Sequence, residues 1–176
     1  MSKPLPVRLD PYRAAEQGRT IVGEVDLKGM KRLAEMLGGN EGSASCTLRF
    51  YKASKRDSRI KGSIETVLTL KCERCLSLYE FKSESEFEVA LVSVEAQETA
   101  VVDDIEPYLV EEDSLEMLTF IEDEILLGLP AIPKHPDEKD CDLVVEREFD
   151  PDAGSNEPEE DKKPNPFAVL ENLKKR

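Results

Sequence analysis

The chain has 176 residues, of which 39% are hydrophobic and 35% are charged, and its formal net charge is −14. This length allows one domain with appendages, and the modest hydrophobic share indicates that part of the chain is solvated rather than packed. The negative balance excludes a nucleic-acid binder that uses the whole chain, and no apolar run approaches the length of about 20 residues that a membrane span needs.

Hydrophobic spacing predicts the elements of the first half of the chain. Residues 5–19 are predicted to be irregular, because the prolines near their start disfavour a helix before Tyr12. A helix is predicted at 30–37, where apolar residues recur at helical spacing. Alternating apolar residues predict strands at 20–27, 45–51, 60–72 and 79–92. Together they indicate an α+β fold, in which an antiparallel β meander or barrel-like sheet packs against one or two helices.

The second half of the chain is predicted to contain one strong helix. Residues 95–113 have the composition of an acidic loop with a short strand at 108–110. Asp113 and Glu116 match a capping box that would start a helix, and Pro130 would end it. The predicted buried stripe of this helix consists of Leu118, Ile121, Ile125 and Leu129.

Composition also predicts the domain organisation. We expect a single α+β domain at 1–149, an acidic disordered linker at 150–163 and a C-terminal docking helix at 164–176. A helix this short does not persist alone in water, so its apolar stripe is expected to fold against a partner or against the chain's own domain. That stripe consists of Phe167, Leu170 and Leu173.

Cysteines provide the most specific chemical signal. Cys72 and Cys75 form a Cys-x2-Cys pair, whose two sulfurs can bind one side of a tetrahedral Zn²⁺. His135 and Cys141 would complete a structural Cys3His site, with Cys46 as a substitute ligand. Three alternatives remain open, namely free thiols beside a solvated histidine, a redox pair, and two disulfides, which the even number of cysteines permits. The chain lacks a secretory signal, so we expect reduced thiols and a cytoplasmic protein.

Charge is spread unevenly, and its basic part suggests RNA. Residues 1–82 hold 16 Lys and Arg against 10 Asp and Glu, whereas residues 83–161 are strongly acidic. A predicted hairpin carries cations that can contact phosphate, with Phe50 and Tyr51 available for base stacking. These candidate RNA-binding residues are Arg49, Lys52, Lys55, Arg56, Arg59 and Lys61. The alternative is that a charged hairpin serves solubility alone.

The sequence contains no catalytic motif, and we expect a protein that is not an enzyme. It lacks a glycine-rich phosphate loop and a Ser/His/Asp arrangement. A carboxylate-rich helix face allows acid–base work or Mg²⁺ binding, but without a partner histidine we predict a solvated face or a contact for a basic protein. Those carboxylates are Glu116, Glu122, Asp123 and Glu124.

Several motifs in combination resemble the YceD family of large ribosomal RNA subunit accumulation proteins. The motifs are LPVRLDP at 5–11, ASCTL at 44–48, LKCERCL at 70–76, IEDEILLGLP at 121–130 and KPNPFAVL at 163–170. The resemblance implies a bacterial cytoplasmic protein needed for normal production or stability of large-subunit (23S) ribosomal RNA, without known catalytic chemistry. Many relatives carry a second Cys-rich element after the acidic helix. Here that position holds PKHPDEKDC at 133–141, where His135 is the one residue able to replace the missing cysteine.

Two function hypotheses follow from the residues and the resemblance. The first is a non-enzymatic factor for the synthesis, processing or stability of large-subunit ribosomal RNA, whose partner is that RNA or a pre-large-subunit particle. The second is an acidic chaperone or adaptor for a basic ribosomal protein. A metal-dependent enzyme that processes RNA ranks last. No cofactor is required by the sequence, and Zn²⁺ is the candidate.

Overall fold

The computed structural model describes residues 5–39, 41–93 and 105–141. Seven strands are present in these ranges: β1 Arg8–Leu9, β2 Thr20–Asp26, β3 Ser43–Lys52, β4 Ser58–Lys71, β5 Leu78–Ser93, β6 Glu106–Val110 and β7 Leu115–Glu116. Three α-helices accompany them: α1 Pro11–Glu16, α2 Lys31–Met36 and α3 Met117–Leu127. The predicted α+β class and its mostly antiparallel sheet are therefore confirmed.

The main sheet has the strand order β2-β3-β4-β5-β6, and β1 pairs with β7 in a separate antiparallel ribbon. Strands β2 to β5 form the predicted meander, because each pairs antiparallel with the next. Strand β6 instead pairs parallel with the end of β5. A parallel neighbour requires a crossover connection, which the alternation of apolar residues within each strand does not reveal. In the described part of the chain the sheet is open, with β2 and β6 at its edges.

The core lies between one face of the main sheet and the three helices. Strand β3 buries Cys46, Leu48 and Phe50 on this face, as its alternating sequence predicts. Gly62 in the neighbouring strand β4 lets the sheet pack closely, since a Cβ there would lie 2.5 Å from the ring of Phe87 and 2.7 Å from Leu48. From α3, four fully buried side chains complete the core: Met117, Phe120, Ile121 and Ile125.

Two local predictions are wrong. Pro11 does not prevent a helix but occupies the first turn of α1, where a missing N–H costs nothing, and Asp10 caps the helix by accepting a 2.9 Å hydrogen bond from the N–H of Arg13. Asp113 does not cap α3. It adopts a left-handed conformation with φ 51°, and Leu115–Glu116 forms β7 before the helix begins.

Helix α2 receives its N-terminal cap from another element. The residue before it, Met30, offers no side-chain acceptor. Glu122 of α3 takes this role, because its carboxylate accepts hydrogen bonds of 2.8 Å from the N–H of Arg32 and 3.0 Å from the N–H of Leu33. The guanidinium of Arg32 also pairs with Glu122 at 3.0 Å and with Asp123 at 2.6 Å. These contacts attach α2 to α3.

The predicted linker at 150–163 and the docking helix at 164–176 lie outside the described residues. The stripe formed by Phe167, Leu170 and Leu173 therefore remains a prediction, as do the domain limits. All described residues fall within the compact unit Met1–Leu143. Among the helices of the described ranges, none combines the length and the apolar character that crossing a membrane requires.

Candidate functional site

The Cys-x2-Cys pair occupies the tight turn between the two longest strands, β4 and β5. The N–H of Cys72 donates a 2.9 Å hydrogen bond to the carbonyl of Ser77, and the N–H of Leu76 donates at 2.8 Å to the carbonyl of Cys72. Leu76 adopts a left-handed conformation with φ 63° to make this reversal. The turn thereby holds Cys72 and Cys75 at one end of the sheet.

The loop that follows α3 packs against this turn. The N–H of Glu73 donates a 2.8 Å hydrogen bond to the carbonyl of Pro133. The ring of His135 lies against Tyr79, with 4.9 Å between ring centroids. Further along, the carboxylate of Asp137 accepts a hydrogen bond from the N–H of Lys139 and orders the short 3-10 turn before Cys141. Two distant segments thus meet at one point.

The structure brings the four predicted metal ligands together. Their ligand atoms all lie within 4.8 Å of one another. The sulfurs of Cys72 and Cys141 are 3.9 Å apart, and His135 Nδ1 lies 3.4 Å from the sulfur of Cys75 and 3.5 Å from that of Cys141. Tetrahedral zinc with ordinary bond lengths gives edges of about 3.8 Å between two sulfurs and about 3.6 Å between sulfur and nitrogen. The donor set therefore suits a zinc ion, and these three distances lie close to the edges of a tetrahedral site.

Two of the thiols have opposite electrostatic environments. Burial opposes ionisation of Cys72, but hydrogen bonds from the backbone of Cys75, His135 and Arg74 outweigh burial and hold the pKa of this thiol below its usual value. Burial, followed by the nearby sulfurs of Cys75 and Cys72, raises the pKa of the Cys141 thiol. A bound divalent cation would offset the mutual repulsion of such thiolates.

The substitute ligand, Cys46, does not join this cluster. Its side chain lies in the core on β3 and is only 2% exposed. Burial raises its pKa to about 12, so this thiol stays protonated at neutral pH. Among the described residues the cluster consists of the other three cysteines and the histidine, and the interpretation of Cys46 as a ligand is wrong.

The predicted RNA-binding cations lie on β3, on β4 and in the hairpin between them, but two of them are held in ion pairs. Arg59 is largely buried and pairs with Asp57 at 2.5 Å and with Glu88 at 3.4 Å. Lys52 pairs with Glu16 at 3.2 Å. The other four are exposed and form no ion pair with any residue in the described ranges: Arg49, Lys55, Arg56 and Lys61.

The aromatic residues of this hairpin are not a stacking platform. Phe50 is fully buried in the core, so its predicted role in base stacking is wrong. Tyr51 is half-buried, and its hydroxyl donates a hydrogen bond to Glu88. The guanidinium of Arg49 lies 5.9 Å from the centroid of the Tyr51 ring, and Arg49 is directly opposite Lys61 in the sheet. Two cations therefore lie side by side on the surface of the sheet.

The acidic face of α3 is not uniformly solvated, so the first of its two predicted roles, a solvated face, is wrong for Glu122 and Glu124. Glu122 and Glu124 are only 6% and 5% exposed. The sequence contains a signal for this burial, because Glu124 lies three residues after Ile121 and therefore shares its face of the helix. Glu106 and Tyr108 of β6 lie beside Glu124, and the predicted set of site residues does not include them.

Comparisons with known proteins agree on one family. A family model described as "Large ribosomal RNA subunit accumulation protein YceD" matches residues 60–174. The protein of this name from Haemophilus influenzae is 32% identical over 173 residues, which cover 98% of this chain and 97% of the relative. No solved structure matches the chain.

Proposed function

This chain belongs to the YceD family of large ribosomal RNA subunit accumulation proteins, and on that premise we propose that it is a non-enzymatic cytoplasmic factor for large-subunit ribosomal RNA. Its role would lie in the synthesis, processing or stability of this RNA, on the RNA itself or on a pre-large-subunit particle. The family match at 60–174 includes both segments of the Cys3His cluster.

The exposed hairpin cations are the observation that supports direct contact with RNA. Arg49, Lys55, Arg56 and Lys61 form no ion pair with the described residues, so they are available to phosphate groups. Contacts of this kind provide affinity that falls steeply with salt and is independent of base sequence. The carboxylate of Glu88, beside Arg59, limits the basic surface on the side of β5.

Zinc is proposed as a structural ion of this factor. Cys72, Cys75, His135 and Cys141 supply four ligands, and a closed four-ligand site leaves no position for a substrate. Bound zinc would supply positive charge to the thiolates and a cross-link between the two segments. Within the chain, Arg74 already lies 3.9 Å from the sulfur of Cys141 and pairs with Glu138 at 3.4 Å.

The absence of enzymatic activity is supported by the position of the histidine. His135 is the single histidine of the chain, and its Nδ1 faces two cysteine sulfurs. We therefore expect purified protein to leave precursor ribosomal RNA intact in the presence of Mg²⁺, Mn²⁺ or Zn²⁺. Cleavage that follows the protein through purification would contradict the proposal.

Gradient sedimentation of cell lysates tests the RNA contact. A variant in which Arg49, Lys55, Arg56 and Lys61 are replaced by Gln is compared with a matched control that loses the same charge elsewhere. The control replaces four exposed lysines by Gln, namely Lys28, Lys31, Lys71 and Lys82. Lysates are separated at low and high salt, with and without nuclease.

We expect the unaltered protein to sediment with large-subunit precursors in a nuclease-sensitive manner. The hairpin variant should leave these fractions at a salt concentration that retains the control, because each lost phosphate contact reduces affinity. If both variants leave these fractions at the same salt concentration, the proposed contact between the hairpin and RNA is wrong. A protein that stays at the top of every gradient would contradict binding to the particle.

A further inference from the structure

A cleft of about 370 Å³ lies between β6 and α3, at the end of β5. Its apolar walls are formed by Val89, Pro107, Leu126 and Leu127, and its polar lining by Glu106, Tyr108, Asp123 and Glu124. The cleft lies outside the Cys3His cluster and outside the hairpin cations, so neither proposed role accounts for it.

Glu124 is the unusual residue of this cleft. It is 95% buried, since only 5% of its surface is exposed, and in the described ranges no hydrogen-bond donor or cation pairs with its carboxylate. Its neighbour Asp123 differs, because Arg32 of α2 pairs with it at 2.6 Å. Burial, together with the charges of Glu106 on β6 and Asp123 on α3, raises the pKa of Glu124 to about 7.

We propose that this cleft receives a lysine or arginine side chain of a basic protein partner, with Glu124 as the counter-charge. A buried carboxylate without a partner is costly, and a cation placed beside it offsets that cost. Lys and Arg side chains combine a charged end with an apolar stem. The walls formed by Val89 and Leu126 suit the stem, and the carboxylates of Glu106 and Glu124 suit the charged end.

The other two occupants with suitable charge or size fit less well. A divalent metal ion needs converging oxygen ligands, but in the described part of the chain the one group of converging ligand atoms is the Cys3His cluster. An RNA phosphate would be repelled by Glu106 and Glu124. The inference therefore adds a protein contact to the proposed role in ribosomal RNA accumulation and does not depend on that role.

Calorimetric titration of the full chain with a short lysine-rich peptide tests the inference. The same peptide with acetylated lysines is the ligand control. Glu124→Gln removes the buried charge, and the matched variant Glu86→Gln removes one exposed carboxylate of β5. We expect Glu124→Gln to weaken binding roughly tenfold, as for a lost charged hydrogen bond. Glu86→Gln should weaken binding less than about twofold at physiological salt.

Proton release gives a second readout. With a pKa of about 7, we expect the Glu124 carboxyl of the free protein to be mostly protonated near pH 6, so binding of a cation should displace a proton. Titrations in two buffers of different ionisation enthalpy measure this release. The unaltered protein should release protons and Glu124→Gln should not. Both proteins contain the same neighbouring charged and titratable residues, namely Glu106, Tyr108, Asp123 and Arg32.

An additional variant keeps the inference testable if Glu124→Gln fails to fold. Leu127 is 67% exposed on the wall of the cleft, so Leu127→Lys places a competing cation there and should weaken peptide binding. Val22→Lys, at a residue that is 63% exposed on β2, is its control. Three results would each overturn the inference: a variant and its control that weaken peptide binding equally, binding without proton release, or an acetylated peptide that binds as tightly as the unmodified one. Any of them would leave only diffuse attraction to an acidic surface.

Discussion

At the scale of single residues, the Cys3His cluster shows what a sequence can and cannot specify. Cys72 and Cys75 are recognisable from their spacing, and His135 follows by elimination because the chain has one histidine. Their geometry is not in the sequence, since Cys141 lies 69 positions from Cys72 and yet their sulfurs are 3.9 Å apart. Only the packing of the loop after α3 against the β4–β5 turn brings the two segments together.

Replacing one ligand should abolish metal binding. We expect Cys75→Ser to lower the bound zinc from about one ion per chain to a small fraction, because a structural site needs all four ligands. The matched variant Cys46→Ala removes a thiol outside the cluster and should keep the zinc. Metal analysis of protein purified without added metal measures both. A protein that holds no zinc, or a Cys75→Ser variant that holds as much as its parent, would contradict the metal centre.

Glu124 should make stability depend on pH. Its folded pKa of about 7 lies above the ordinary value of 4.5, so the folded state binds the proton more tightly than the unfolded state. Stability is therefore highest below pH 4.5 with respect to this group, and it falls as the pH rises through about 7. The shift corresponds to about 3 kcal/mol.

Glu124→Gln should remove this dependence. We expect the variant to be more stable than its parent at pH 8, by up to about 3 kcal/mol, and within about 1 kcal/mol of it at pH 5. Urea unfolding at the two pH values measures the difference, with Glu86→Gln as the exposed control. A loss of stability at pH 8 would show that the Glu124 carboxylate has a favourable partner in the folded protein.

At the scale of elements, local patterns predict the strands better than the helix ends. Strands β3 and β4 follow their alternating sequences closely. The predicted start of α3 is wrong because Asp113 and Glu116 satisfy a local capping pattern, whereas pairing of Leu115–Glu116 with Arg8–Leu9 takes precedence. A pairing between residues more than 100 positions apart leaves no periodic signal in either segment.

The cap that Glu122 provides should be necessary for the attachment of α2 to α3. Burial of this carboxylate is outweighed by the N–H groups of Leu33 and Arg32 and by the Arg32 guanidinium, so its pKa is lowered. Glu122→Gln should reduce the free energy of unfolding at pH 7 by about 1–3 kcal/mol, as for other hydrogen bonds that involve charged groups.

The pH dependence of this cap has the opposite sign to that of Glu124. A lowered folded pKa gives stability that is present above the ordinary carboxyl value of 4.5 and is lost as the pH falls through the folded pKa. The difference between Glu122→Gln and its parent should therefore shrink in acid. Glu35→Gln, an exposed change on α2, is the control for the unfolding measurements at pH 7 and in acid. An unfolding curve of Glu122→Gln that matches its parent at pH 7 would contradict the role of the cap.

At the scale of the whole molecule, the formal charge of −14 does not describe the three candidate sites, which differ in charge and chemistry. The hairpin cations, the Cys3His cluster and the acidic cleft lie on different elements, and only the first two follow from sequence patterns. Sequence patterns do not predict the cleft, because Glu106 and Glu124 come from a parallel strand and from the buried side of a helix.

Removal of metal should loosen one end of the molecule while the sheet stays intact. We expect a chelator to increase hydrogen exchange at 72–77 and 130–141, because these segments are joined through the four ligands. Amides in the centre of β3 and β4 should keep their protection, since both strands are paired on both sides. Uniform loss of protection would indicate that the metal is required for the entire fold, and no change would indicate that it is dispensable.

The pairing of β5 has a mechanical consequence. This strand pairs with β4 from its start and with β6 at its end, with Tyr79 beside the Cys3His cluster and Val89 in the acidic cleft. An extended strand between these residues spans at most about 33 Å. Strand β5 therefore sets the distance between the Cys3His cluster and the acidic cleft. Inserting two residues into both β4 and β5 would increase this distance by about 7 Å, while every side chain stays on the same face of the sheet.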